Sequence, residues 1–167
     1  MLNIHKRIYI MKIDYIWNVG LNIMYRALDI AHYIIQRCNT TNRTISNLKL
    51  QKILYFVQAE FLVTKNQPCF VEEIQAWDFG PVVPDVYYQY RMFGSANIPC
   101  LGKNRAAQII SLGDKKILDG IIDECAKYSA SALVELTHKQ TPWIEAYKPG
   151  WNNEITKECI KEYFKED

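Results

Sequence analysis

Three histidines, His5, His32 and His138, and the carboxylate pairs Glu72/Glu73, Asp78/Asp85 and Asp123/Glu124 are the side chains best suited to move protons. Acid–base or metal chemistry needs such groups converged at characteristic spacings. The histidines are far apart in sequence, and none stands in an HExxH or Cys/His arrangement. His32 falls in a helical pattern and reads as a surface or edge residue. His138 ends a helical stretch four residues before Pro142, where an imidazole meets the open carbonyls of a helix C-terminus. Glycosidase chemistry needs two carboxylates facing across a cleft. Asp78 and Asp85 could approach one another if the Gly80-Pro81 turn folds back. Their positions suit turn N–H groups and a first helical turn better. The sequence has no nucleophile elbow, P-loop or GxGxxG. It therefore reads as non-enzymatic, with no catalytic residue, cofactor or metal.

The five cysteines, Cys38, Cys69, Cys100, Cys125 and Cys159, are odd in number and widely spaced. That excludes a disulfide framework or CxxC knuckle as the organising feature. Cys38, Cys125 and Cys159 lie in apolar helical patterns and read as small core residues.

Aromatic contact chemistry is better supported. Trp77-Asp78-Phe79-Gly80-Pro81 joins polar, aromatic and turn-forming residues in five positions. In an extended chain Trp77 and Phe79 point the same way. Gly80 permits a backbone setting other residues resist, and Pro81 and Pro84 lower the entropy lost in holding the loop still. Trp77 is expected to plug the core beneath the preceding helix, or to join a contact patch with Tyr87, Tyr88 and Arg91. Aromatics and arginine are the usual interface anchors. Tyr55, Asp78, Tyr88 and Arg91 are the contact candidates. Trp77, Gly80, Pro81 and Trp143 are the scaffold candidates.

The elements that must position these residues are mostly helices. Leu28, Ala31, Ile34, Ile35 and Cys38 recur at helical spacing over about 25–38. A second helix, about 47–63, is capped by Ser46, with Leu50, Ile53, Leu54, Val57 and Phe61 as its buried stripe. Leu62 widens the stripe, and Lys49, Lys52 and Glu60 are placed on its flanks or opposite side. Lys49, Lys52, Tyr55 and Gln58 could line a groove there. Residues 70–78 read as extended or irregular, with room for one strand of a small hairpin. Pro84 opens a helix over about 84–93 that Gly94 stops. Ile109-Ile110 is a weak strand candidate. Asp114 is expected to cap a helix at about 115–128, Ser129 one at 130–138, and Asn153 a last one at 154–164. Pro142 starts a turn carrying Trp143, Ala146 and Tyr147.

The expected fold is mainly α: a compact six- to seven-helix domain with at most a small β-hairpin. Its 167 residues, 49% hydrophobic and 13% aromatic, suffice for a core without disulfides. Residues 1–23 fit either a helical stripe through Ile4, Ile8, Met11 and Tyr15 or a short strand at Ile8-Tyr9-Ile10. No apolar run approaches the ~18 residues of a membrane span, and no secretory signal is evident, so a cytoplasmic location is expected. Residues 1–60 hold 8 Lys/Arg and 3 Asp/Glu, against 12 and 15 over 61–167. This asymmetry admits an acidic partner, nucleic acid or an ordinary solvated face. A helix-turn-helix reading of 28–38 and 47–61 is disfavoured, because the second helix is too apolar to read base edges.

The segments ALDIAHYII (27–35), LKLQKILYFVQAEFLV (48–63), FVEEIQAWDFGPVVPDVYYQYRMFG (70–94) and LVELTHKQTPWIEAY (133–147) resemble the Panacea domain family, which includes SocA-like antitoxins and GepA-like phage-associated proteins. The resemblance covers about 25–165. It implies a helical domain over 24–167, with 1–23 as an N-terminal extension or accessory arm. The family pattern falls on Leu50, Gln51, Lys52, Leu54, Tyr55, Gln58, Ala76, Trp77, Gly80, Pro81, Val82, Pro84, Val86, Tyr87, His138, Pro142 and Trp143. Phe56 and Phe79 stand where tyrosine is frequent, and each loses a hydroxyl. The resemblance implies a prophage-associated antitoxin that neutralises a cognate toxin protein by binding it, and the domain is expected to be monomeric or weakly dimeric. It also admits an adaptor role toward a ClpXP-type protease. The alternative is a prophage-encoded accessory protein that binds a host factor or nucleic acid.

Overall fold

A computed structural model describes residues 24–100 and 106–166. The described chain runs α1 (Ala27–Thr40), α2 (Asn47–Thr64), β1 (Ile74–Trp77), β2 (Gly80–Val82), α3 (Pro84–Tyr90), a 3-10 turn (Arg91–Phe93), a one-turn α4 (Ala106–Ile109), α5 (Leu112–Cys125), α6 (Ala130–Thr137), α7 (Thr141–Ala146), β3 (Glu154–Ile155) and α8 (Lys157–Glu166). It is a mainly helical fold with one small sheet. The two readings of residues 1–23 lie outside the described residues, as does His5.

α2 is the axis of the molecule. Ser46 caps it by accepting from the Lys49 N–H, which satisfies one of the free donors of a helix start. Its sequence places Leu50, Ile53, Leu54, Tyr55, Phe56, Val57, Ala59, Phe61 and Leu62 on every side, and all are buried. A helix that is apolar all round must be enclosed. α1, α3, α5, α6, α8 and β2 all pack against it. The expected single stripe is thus corrected: Lys52 and Glu60 are buried too. An enclosed helix cannot enter a nucleic-acid groove, in line with the disfavoured helix-turn-helix reading.

Three other expectations are corrected at element ends. Ser111, not Asp114, caps α5, because the Ser111 hydroxyl accepts the Asp114 N–H. Asp114 sits inside the first turn, where its carboxylate accepts from the Tyr25 hydroxyl and the Lys65 ammonium, each at 2.6 Å. Residues 106–109 are helical rather than a strand. Asn153 does not cap the last helix. Its carbonyl accepts from Ala76 N–H, its amide donates to the Ala146 carbonyl, and the Thr156 hydroxyl accepts the Cys159 N–H instead. Sheet pairing at Glu154-Ile155 takes the residues that local pattern assigned to the helix.

The sheet order is β2-β1-β3, all antiparallel. Trp77 faces Gly80 across a two-residue turn, Asp78-Phe79, and Gln75 faces both Val82 and Glu154. Of the cysteines, Cys38, Cys69 and Cys125 are buried, Cys159 is half-buried and Cys100 is exposed; all five are free thiols.

Candidate protein-contact site

Polar side chains of α2 hold the chain that carries the Asp78-Phe79 turn. Gln51 accepts the Val83 N–H through Oε1 at 2.9 Å. Lys52 donates through Nζ to the Pro81 carbonyl at 2.9 Å. Gln58 accepts from the N–H groups of Cys69 and Phe70 and donates to the Phe70 carbonyl. Each partner is a backbone group that would otherwise be buried without water. The two ends of the segment 69–83 are therefore fixed to the core, and the turn between them projects outward. This corrects the idea of a groove lined by Lys49, Lys52, Tyr55 and Gln58. Lys52, Tyr55 and Gln58 are enclosed, and the half-buried Lys49 donates to the Tyr128 carbonyl.

Gly80 is the tightest point of the hairpin. Its φ is +93°, and a Cβ there would lie 2.7 Å from Thr137 Oγ1 and 2.9 Å from Lys52 Nζ. Only glycine fits both the backbone and the space. Pro81 is buried beside it.

Trp77 is half-buried and does not plug the core. β1 alternates inward Ile74 and Ala76 with outward Gln75 and Trp77, as the two-residue period of a strand requires. The Trp77 ring makes edge contacts with Tyr87 and Tyr88, with centroids 4.9 and 6.1 Å apart. Its indole N–H donates to Gln75, which donates to Glu73. The Arg91 guanidinium lies 5.5 Å from the centre of Tyr88. Asp78 is exposed, Phe79 is 68% exposed and Tyr88 54% exposed. Three contact candidates, Asp78, Tyr88 and Arg91, are thus exposed around Trp77. The fourth, Tyr55, is not among them. It is fully buried and packs edge-on against Phe56 and Phe164, so it can touch no partner in this conformation and belongs with the scaffold.

The opposite flank of the turn is built by α6 and α7. His138 caps α6 and stacks on Trp143 at 4.0 Å, and Trp143 stacks on Tyr147 at 4.4 Å. The Trp143 indole donates to the Trp77 carbonyl, and the Tyr147 hydroxyl donates to Asp78 Oδ1, each at 3.0 Å. That bond holds the Tyr147 proton more tightly than usual. Burial lowers the His138 pKa and nearby Lys52 lowers it further, against a raising contact with the Asp78 backbone. Residue patterns alone missed Tyr147 as the partner of Asp78, since it lies 69 residues further along the chain.

The arrangement offers contact chemistry: exposed rings, one carboxylate and one guanidinium on a held backbone. Among the described residues, no three His, Cys, Asp or Glu side chains converge to hold a metal ion. No described helix is long and apolar enough to cross a membrane.

Comparison with known proteins decides the family. The model of the SocA-like antitoxins, Panacea domain, matches residues 50–144, more than half of the chain. The match starts on α2 and ends on α7. The chain belongs to the SocA-like Panacea family. It is similar to Antitoxin SocA of Caulobacter vibrioides (strain NA1000 / CB15N), at 37% identity over 141 residues that cover 75% of this chain and 73% of the relative. No solved structure matches it significantly. The Panacea pattern acquires a physical meaning in this fold. Gln51, Lys52 and Gln58 are backbone pins, Gly80 and Pro81 are a clearance fit, and Trp143 supports the turn from below.

Proposed function

We propose that this protein neutralises a cognate toxin by direct, stoichiometric contact through the Asp78-Phe79 turn and the adjoining Tyr88 and Arg91. One observation carries the reading: an aromatic, charged turn stands exposed on a backbone held by buried side chains of the family's own pattern. Pre-ordering lowers the entropy lost on binding. A patch centred on Trp77, Tyr88 and Arg91 has the residue types that dominate interface energetics. Residues 24–167 act as the binding domain, monomeric or weakly dimeric, and 1–23 as an accessory arm that tunes toxin choice. Family membership supports a toxin as the partner.

Co-expression with a small toxic protein encoded beside the gene tests this. Rescue of growth with a stable complex is the expected result. A complex that touches the chain only far from the turn would refute the site. Delivery of the toxin to a ClpXP-type protease is a finer form of the same activity. It predicts that the toxin's half-life shortens when the antitoxin is present and recovers when the protease is inactivated.

A further inference from the structure

Lys52 is fully buried, yet no carboxylate pairs with it among the described residues. Its one described bond is to the Pro81 carbonyl. A charged group in such a place is normally paired or absent, because desolvating it is costly. A methionine would fill the same volume without that cost. The groups facing Lys52 offer no counter-charge. From the hairpin come Gly80 and the Pro81 carbonyl, and from α6 come the Thr137 hydroxyl and His138, a second base. The nearest carboxylate of the turn, Asp78, is engaged with Tyr147. A bare lysine against a glycine is a poor way to build a core, but a good way to grip one carbonyl of a turn.

We propose that Lys52 is the positioning residue of the contact turn, kept in the core at the expense of stability, and that it makes the closure of the turn proton-linked. Gripping Pro81 fixes the strand that follows Asp78-Phe79. When the turn lifts from α2, the lysine reaches water and takes up a proton readily; when the turn closes, burial works against that proton. Opening is therefore favoured as pH falls. Burial brings the closed-state pKa from 10.5 to about 7, so the dependence spans that window and levels off below it, where the closed state is protonated as well. The name of the turn as a contact surface rests on the proposed function; the positioning role does not.

Amide hydrogen exchange of residues 78–83, among which Pro81 carries no N–H, corrected for intrinsic base catalysis, tests this on the full chain without any partner. Between pH 9 and pH 7 the protection of these amides is expected to fall by roughly tenfold per pH unit. Amides of α2 and α5 should exchange more slowly throughout, which marks the opening as local. The Lys52→Met variant should keep its fold and lose the pH slope at the turn. pH-independent protection of residues 78–83 in wild type overturns the proposal. So does a slope that persists in Lys52→Met. Should the variant fail to fold, the wild-type slope alone decides. A positive result here, together with a toxin complex that touches the chain only away from the turn, would sink the proposed contact site and leave the positioning role standing.

Discussion

Gly80 and Lys52 meet at one point, and each makes a prediction about stability. Gly80→Ala adds a methyl 2.7 Å from Thr137 Oγ1 at a φ of +93°. Strain and overpacking each cost about 1–3 kcal/mol. Urea unfolding is expected to show a loss of roughly 2–4 kcal/mol; a loss under 1 would mean the turn relaxes freely. Lys52→Met acts the other way. The folded lysine titrates at about 7 against 10.5 in the open chain, so the unfolded state binds the extra proton between those values. Stability from this residue therefore rises as pH climbs from 7 toward 10. Removing the charge relieves that penalty but leaves the Pro81 carbonyl unbonded, which returns about 1–3 kcal/mol. The net expectation at pH 7 is a gain of roughly 1–3 kcal/mol. The difference between wild type and variant should shrink as pH rises, and a difference flat with pH would contradict the assignment.

α2 shows how an element can be read correctly and its surroundings missed. Its bounds and its Ser46 cap were legible, because cap chemistry and an apolar run are local signals. Its enclosure was not. Lys52 and Gln58 look like a solvent face until the backbone partners of the hairpin connection are present, and those come from residues 69–83. Tyr55 failed as a contact for the same reason: the rings that bury it, Phe56 and Phe164, include one from the far end of the chain. The caps of α5 and α8 failed through competition between neighbours, Ser111 over Asp114 and Thr156 over Asn153. The pinning role of Gln58 predicts that Gln58→Leu, similar in volume, costs about 3 kcal/mol by stranding the N–H groups of Cys69 and Phe70 and the Phe70 carbonyl. Differential scanning calorimetry checks it, and a variant as stable as wild type would show that other groups satisfy that loop. Ser46→Ala should cost only about 1 kcal/mol.

At the scale of the molecule, the described chain is a device for holding one turn. A helix enclosed on all sides pins the segment before and after Asp78-Phe79, α3 and the 3-10 turn carry Tyr88 and Arg91 alongside, and α7 supports the far flank through Trp143 and Tyr147. The mainly helical class and the hairpin were readable from helical spacing and from the Gly-Pro turn. The third strand was not, since a two-residue strand has no pattern of its own. The Panacea family assignment was readable too, and four residues of its pattern, Gln51, Lys52, Gln58 and Trp143, bond backbone atoms.

The most direct test measures toxin affinity for wild type and for a Tyr88→Ala/Arg91→Ala double variant whose melting temperature is unchanged. Both side chains are exposed, so stability should not move. Truncating two anchor residues should weaken binding by about 2–4 kcal/mol, roughly 30- to 1,000-fold, with loss of growth rescue. A double variant that binds the toxin as tightly as wild type, and still rescues growth, would contradict the claim that this turn and its neighbours form the contact surface.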